Sequence, residues 1–458
     1  MNKKKKIQKL VLSFTLLFSL GVSSFPLTTA IHADIREEQS AEKKQISLTE
    51  RTSLFFEYLQ QGKYAEALQL TSAAFQSKFT ANTLQNWWTQ SGIKIMGTPV
   101  IKERNLVHQT VEISGAIEGT TIPLLIKLTP GGKVDEVGER PPQESYIPHP
   151  RYDQPASYQE REIVIGNSTY PLPATLTVPI HKPGEKVPVV VLVHGAGIHD
   201  RDATYLGTKI LRDLAVGLSS NGIAVLRYEK RTLEHALKMS AEPVTLDRDT
   251  TDDAIYAAKS AAQQEGIDPN NIFILGHSQG AGTMPRILSK APSSLVRGSI
   301  LLAPPARPLT DTAIDVSQYL GAPKEVIDEL KRQFDFILDP TFDPDHPPAG
   351  YNFPFPSPHF MYDVTRWRPV EEAKSRKEPL LILQGARDYQ VTVKDEYTKW
   401  QEGLSNRGNV QFKDYPKLNH FFTEGDGELS LPSEYEIPAN VPEYVIQDII
   451  TWVNETKK

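Results

Sequence analysis

Ser278 lies between two glycines in Gly276-His277-Ser278-Gln279-Gly280, directly after the apolar run Ile272-Phe273-Ile274-Leu275. A helix-compatible segment, Thr283 to Lys290, follows. A strand, a sharp turn and a helix put the serine at the apex, where its backbone is strained and its hydroxyl stands clear of the sheet. A Cβ at Gly276 or Gly280 would crowd that turn. A bare Gly-x-Ser-x-Gly recurs by chance, but in this context it marks Ser278 as a nucleophile rather than as part of an ordinary Gly/Ser turn.

A serine hydroxyl is a poor nucleophile at neutral pH; it needs a base, and the base needs an orienting group. After an elbow of this kind the chain order is serine, acid, histidine. Leu380-Leu381-Ile382-Leu383-Gln384-Gly385-Ala386-Arg387-Asp388 supplies the acid, because Asp388 falls just past an apolar strand on a turn begun by Gly385. Asp395 and Asp414 are rivals, but the first falls in a helical pattern and the second within a strand. The base is His420, in the loop after the last strand, Asp414-Tyr415-Pro416-Lys417-Leu418-Asn419-His420. His277 is expected to pack against the sheet. His346 and His359 fall in an inserted segment and are disfavoured as bases by chain order.

Acyl transfer also needs two N–H donors for the developing oxyanion. One is expected from Gln279, the residue after the nucleophile. The other is expected from the loop Val193-His194-Gly195-Ala196-Gly197, with Ala196 the candidate donor. Gly195-Ala196-Gly197 is not a dinucleotide fingerprint, since Asp200 holds the place of the third glycine. The acidic stretch Asp339 to His346 reads as a Pro-rich turn rather than a metal loop, and Lys230-Arg231 as a solvated edge rather than an anion site. The chemistry calls for no cofactor and no metal.

The elements that position these groups alternate strand and helix. Val187 to Val193 is a continuous apolar run suited to a strand buried on both faces. Further strands are expected at 162–165, 170–178, 223–228, 272–275, 298–302, 380–383 and 410–415, with helices at 209–219, 249–264, 282–290, 393–404 and 444–454. This predicts an α/β fold with a doubly wound, mostly parallel sheet over residues 161–458. Residues 305–378 interrupt the alternation and predict a helical cap, with one helix from Pro323 to Leu338. Phe355, Phe360 and Trp367 in it are candidates for an apolar pocket, with packing as the default role of each. Ahead of a Pro/Tyr/Ser-rich linker at 141–160, residues 46–140 read as helices followed by an antiparallel sheet, a small α+β domain. Thr49 or Thr52 is the expected cap of its first helix, 64–75 its second helix, and Trp87-Trp88 are expected to pack helices onto sheet.

Lys3 to Lys6 and Lys9 precede an apolar stretch, Leu10 to Val22, that is shorter than a membrane span. Residues 1–33 are therefore expected to be a signal peptide, so that the mature protein is secreted or extracytoplasmic without a stable membrane span. Cleavage after Ala33 would remove five lysines and no acid, leaving a chain more acidic than the formal −6. Apart from that terminus no basic patch suits nucleic acid. The chain has no cysteine, which excludes disulfides, thiolate metal sites and a thiol nucleophile.

His194-Gly195-Ala196-Gly197 with Asp200-Arg201-Asp202, the Ser278 elbow, Gln384-Gly385-Ala386-Arg387-Asp388-Tyr389-Gln390-Val391 and Leu418-Asn419-His420 together resemble the bacterial α/β-hydrolases of the esterase and dienelactone-hydrolase-like group. The likeness runs from Glu162 to the end. It implies a triad of Ser278, Asp388 and His420. The order of elements in 46–140 resembles the nuclear-transport-factor-2-like modules that precede some such hydrolases. Two departures stand out: dienelactone hydrolases proper carry cysteine at the elbow, and relatives tend to have a glycine-rich turn where this chain reads Arg227-Tyr228-Glu229-Lys230-Arg231. The expected function is a serine hydrolase acting on small or medium carboxylic esters. A peptidase or acyltransferase with the same triad, or a non-enzymatic surface protein that binds a ligand, are the alternatives.

Overall fold

The structure is a computed structural model and describes residues 46–117, 119–139, 147–353 and 357–457. The expected signal peptide and Phe355 lie outside these residues. The described residues up to 139 form one compact unit and those from 147 another.

The first unit has helices Leu48–Gln60, Tyr64–Gln69, Ala73–Gln76 and Ala81–Ser91 and a sheet of β1 (Lys94–Arg104), β2 (Gln109–Ile117), β3 (Thr120–Leu128) and β4 (Val134–Glu139), antiparallel in chain order. The first helix is capped by Ser47, not Thr49 or Thr52: Ser47 Oγ accepts the Glu50 N–H and Glu50 returns a bond to the Ser47 N–H, a closed capping box. Thr52 is buried one turn in, where its hydroxyl donates to the Leu48 carbonyl. The expected 64–75 helix is broken in two, because the intervening residues pair with the sheet: Val134 N–H donates to Leu70 O and Ser72 N–H to Val134 O. Trp88 is buried against Phe56, ring centroids 5.9 Å apart.

The second unit is built on an eight-stranded sheet. Its strands are β5 (Tyr158–Gly166), β6 (Pro171–Pro179), β7 (Val187–Val193), β10 (Ala224–Tyr228), β11 (Ile267–His277), β12 (Gly298–Leu302), β13 (Leu380–Gly385) and β14 (Val410–Tyr415), while β8 (Thr204–Tyr205) and β9 (Thr208–Lys209) form a separate short hairpin. The order is β14-β13-β12-β11-β7-β10-β6-β5. Pairing is parallel from β14 to β10, and β6 and β5 are added antiparallel. Alternation on the strands feeds two cores: Val189, Val191, Ile272 and Ile274 face one side, Val190, Leu192, Phe273 and Leu275 the other. Helices Asp252–Ala261, Met284–Lys290 and Thr398–Gly403 cover the first face, and Ile210–Ser219 and Glu443–Thr456 the second.

Register brings the strand ends together. Gly276 pairs with Val193, His277 with Leu302, Leu302 with Leu383 and Gly385 with Tyr415. The loops after β7, β11, β13 and β14 therefore leave one edge of the sheet, next to the point where the chain turns from β10 on one side of β7 to β11 on the other.

Part of the expected linker belongs to this unit. Arg212 donates to the Ile147 and Pro148 carbonyls at 3.1 and 3.0 Å, Tyr152 OH donates to Val441 O at 2.7 Å, and β5 begins at Tyr158. The described residues of the insertion hold four helices rather than one: Leu309–Tyr319, Lys324–Leu338, Pro358–Arg366 and Pro369–Lys374. At its start Glu396, fully buried, accepts the Ala306 and Arg307 N–H groups. Phe360 is buried with Phe334, Ile337 and Met361, and Trp367 Nε1 donates to the Gly282 carbonyl at 2.9 Å, so both serve packing. No helix among the described residues is long and apolar enough to cross a membrane.

Candidate active site

Ser278 stands at the end of β11 with φ 52° and ψ −119°, a strained conformation for a side-chain-bearing residue. Its N–H is held by Leu302 O at 2.9 Å, and the helix Gln279–Gly282 leaves at once. The turn is tight enough to require both glycines. A Cβ on Gly276 would lie 2.5 Å from the Gly280 carbonyl carbon, and one on Gly280 would lie 2.5 Å from His194 O.

His420 Nε2 is 3.1 Å from Ser278 Oγ, and His420 Nδ1 is 2.7 Å from Asp388 Oδ2. Both oxygens of the Asp388 carboxylate are hydrogen-bonded. Asp388 Oδ1 accepts the N–H groups of Gln390 and Val391 at 2.8 and 2.9 Å, which leaves Oδ2 to the imidazole. Both residues are buried, so the ion pair that forms on protonation of His420 is shielded from water. The acid turn and the base loop are locked to each other, since Arg387 N–H donates to Leu418 O, and a Cβ on Gly385 would strike the Leu418 and Asn419 carbonyls at 2.5 and 2.6 Å. Asn419 closes the base loop by accepting from the Phe421 and Thr423 N–H groups.

The loop after β7 passes directly beside Ser278, and a Cβ on Gly195 would lie 3.3 Å from Ser278 Cβ. Among the described residues neither the Ala196 nor the Gln279 backbone N–H has a protein acceptor. The five residues singled out by sequence therefore come to one place: a hydroxyl, an imidazole, a carboxylate and two free amide donors.

Residues 190–429 match the family described as "Alpha/beta hydrolase family". Esterase EstD of Thermotoga maritima is 31% identical over 407 residues, covering 87% of this chain and 94% of that protein. This chain belongs to the alpha/beta hydrolase family. Among solved structures, the acylaminoacyl peptidase of Pyrococcus horikoshii aligns over 80% of the chain at 16% identity and TM-score 0.47, and the chain spans 54% of that peptidase. Est1E of Butyrivibrio proteoclasticus aligns over 64% of the chain and 98% of its own length, at 17% identity and TM-score 0.41.

The rival groups in this hydrolase are engaged elsewhere. Asp395 accepts from Thr392 Oγ1, and the cap histidines His346 and His359 pair with Asp343 and Asp345. His277 does more than pack: its Nε2 lies 2.8 Å from the His420 carbonyl. The Lys230-Arg231 pair is not a solvated edge. Lys230 is 2% exposed and Arg231 3%, the latter paired with Asp253. Lys230 is drawn inward because the loop after β7 turns several carbonyls to one side, and these need a donor. Sequence reading also passed over Gln384, whose amide donates to Val391 O at 2.7 Å and lies 3.4 Å from Asp388 Oδ2. A lone glutamine ending the run Leu380-Leu381-Ile382-Leu383 was the available signal, since a buried amide has to be bonded.

Proposed function

We propose that this hydrolase cleaves small or medium carboxylic esters by acyl transfer through Ser278. Ser278 Oγ attacks the ester carbonyl carbon while His420 Nε2 takes its proton. Asp388 holds the imidazole in the tautomer that presents a bare Nε2 and stabilises the imidazolium. The carbonyl π electrons move to oxygen, which is received by the Ala196 and Gln279 N–H groups. Collapse of the tetrahedral intermediate breaks the bond to the alcohol oxygen, and His420 returns the proton to that leaving group. Water then repeats the sequence on the acyl-enzyme, releasing the acid and restoring Ser278. No step calls on a group outside the chain.

The observation that carries this reading is the unbroken hydrogen-bond chain Ser278–His420–Asp388 at 3.1 and 2.7 Å. The ester, rather than the amide, is favoured by the Thermotoga maritima relative, an esterase by name. The basic and apolar pattern of residues 1–22 supports an extracytoplasmic site of action as part of the same proposal, and the helices and antiparallel sheet of residues 46–139 support the reading of that unit as an accessory module. A panel of p-nitrophenyl acyl esters combined with a fluorophosphonate probe tests it. The expected outcome is ester turnover, covalent labelling of Ser278, and loss of both in Ser278→Ala. A chain that turns over esters equally well as Ser278→Ala would overturn the mechanism.

A further inference from the structure

Three successive carbonyls of the loop after β7 are each bound by a donor. Lys230 Nζ donates to Gly195 O at 2.8 Å and to Gly197 O at 3.0 Å. His199 Nε2 donates to Ala196 O at 2.8 Å, and Thr232 Oγ1 to Gly197 O at 3.1 Å. The third partner of the Lys230 ammonium is Asp249 Oδ2, 3.1 Å away. An ammonium has three donors, and all three are used within the protein, so Lys230 keeps none for a substrate carboxylate. Asp249 Oδ2 in turn accepts the Gln279 side-chain amide at 2.6 Å. One buried ion pair thus touches both segments that carry the proposed oxyanion donors.

The Gly195 carbonyl belongs to the same peptide group as the Ala196 N–H. In a trans peptide the two point in opposite directions, so a donor that fixes the oxygen also aims the N–H. A cation on the oxygen withdraws electron density from the amide and strengthens the N–H as a donor, more so where water is excluded. We propose that Lys230 is a positioning residue of the oxyanion hole: its ammonium, balanced by Asp249, aims and polarises the Gly195–Ala196 peptide, while Asp249 holds Gln279 in place on the other side. This rests on the acyl-transfer reading of Ser278.

The test uses the full chain carrying Lys230→Met with Asp249→Asn, which removes both charges and leaves neither one buried alone. Three quantities are measured beside the unaltered protein: kcat and KM on a p-nitrophenyl ester, the inhibition constant of an aryl trifluoromethyl ketone whose adduct carries the oxyanion, and the end-point of fluorophosphonate labelling. Labelling should still reach Ser278 in every chain. The kcat should fall about 10- to 100-fold with KM within about twofold, and ketone affinity should fall by the same factor as kcat. A purely structural ion pair would lower the fraction of molecules competent for labelling and leave the ketone affinity of that competent fraction, measured before labelling, intact. That result, or kcat and ketone affinity both within about twofold of the unaltered protein, overturns the role of Lys230. Should the double variant not fold, Lys230→Gln, which keeps donors without the charge, takes its place with the same expected parallel loss and the same overturning result. Absence of Ser278 labelling in the unaltered protein overturns the acyl-transfer reading itself, an outcome separate from any behaviour of the variants.

Discussion

The imidazole of His277 donates through Nε2 to the backbone carbonyl of His420, 2.8 Å away. Burial, with His420 beside it, holds the His277 pKa well below the usual histidine range, so the ring is neutral and its Nε2 carries the proton that the carbonyl requires. The residue next to Ser278 therefore holds the backbone of the proposed base, His420. His277→Leu keeps the bulk and removes the donor, leaving a buried carbonyl unpaired at a cost of about 1–3 kcal/mol. The expected outcome is a lower melting temperature and a kcat reduced about tenfold, with His277→Gln intermediate. A His277→Leu protein with full kcat would show that the base loop is held well enough by Asn419 alone.

Asp388 offers a second prediction because its two oxygens have separate duties. Oδ1 is committed to the Gln390 and Val391 N–H groups, and Oδ2 to His420. In Asp388→Asn the carbonyl oxygen should stay with the two N–H groups and the amide nitrogen should face the imidazole. That selects the tautomer with the proton on Nε2, which cannot take one from Ser278. Steady-state kinetics should give a kcat lower by about 10⁴-fold with the fold intact. A loss under about tenfold would mean that another carboxylate, Asp395 or Asp414, reaches His420.

Ser278, Asp388 and His420 could be read from sequence because each ends or follows an apolar strand and is marked by a glycine or a short polar loop. Parallel order then carries those strand ends to one edge. What could not be read depends on partners remote in the chain. Lys230 looks solvated beside Arg231 until Gly195 and Gly197 turn their carbonyls toward it. The helix expected over 64–75 breaks because Val134, some sixty residues later, takes the backbone groups of Leu70 and Ser72. Leu309–Tyr319 was not legible because its sequence, LTDTAIDVSQY, is about half polar and the residues it buries, Thr310, Thr312 and Ser317, are themselves polar, so no apolar stripe marks it. The cap aromatics were legible as apolar but not as packing, since Trp367 finds its partner at Gly282.

The loop after β7 carries a pH dependence of its own. Burial pushes the His199 pKa down to about 4, and the Lys230 charge acts in the same direction. The unfolded chain binds a proton at His199 near pH 6.5, whereas the folded one resists it to about 4. Between those values the unfolded state holds more protons, so this group's contribution to stability is complete above about pH 6.5 and is lost as pH falls through about 4. Chemical denaturation of the parent and His199→Gln, each across pH 4–7, should show the variant gaining on the parent steadily as pH falls. A stability difference independent of pH would mean that His199 titrates normally in the folded state.

The inserted segment 305–378 is tied to the helix Met284–Lys290, which follows Ser278. Asp363 Oδ1 accepts from Arg286 at 2.7 Å, its Oδ2 accepts the Leu246 N–H at 3.1 Å, and Arg286 lies over the Trp367 ring, 5.5 Å from its centroid. One carboxylate therefore joins the Pro358–Arg366 helix to two segments of the sheet domain. Asp363→Ala removes both bonds and leaves Arg286 its second partner, Asp247, so the charge is not stranded. The expected loss of global stability is about 1–2 kcal/mol. Local opening should be affected more, because the released helix lies within an inserted segment and can move without unfolding the sheet. Limited proteolysis of the folded protein should cut within residues 305–378 faster in the variant, while fluorophosphonate labelling of Ser278 still goes to completion. Equal cleavage rates would place the hold on the cap elsewhere, at Trp367 and its bond to Gly282.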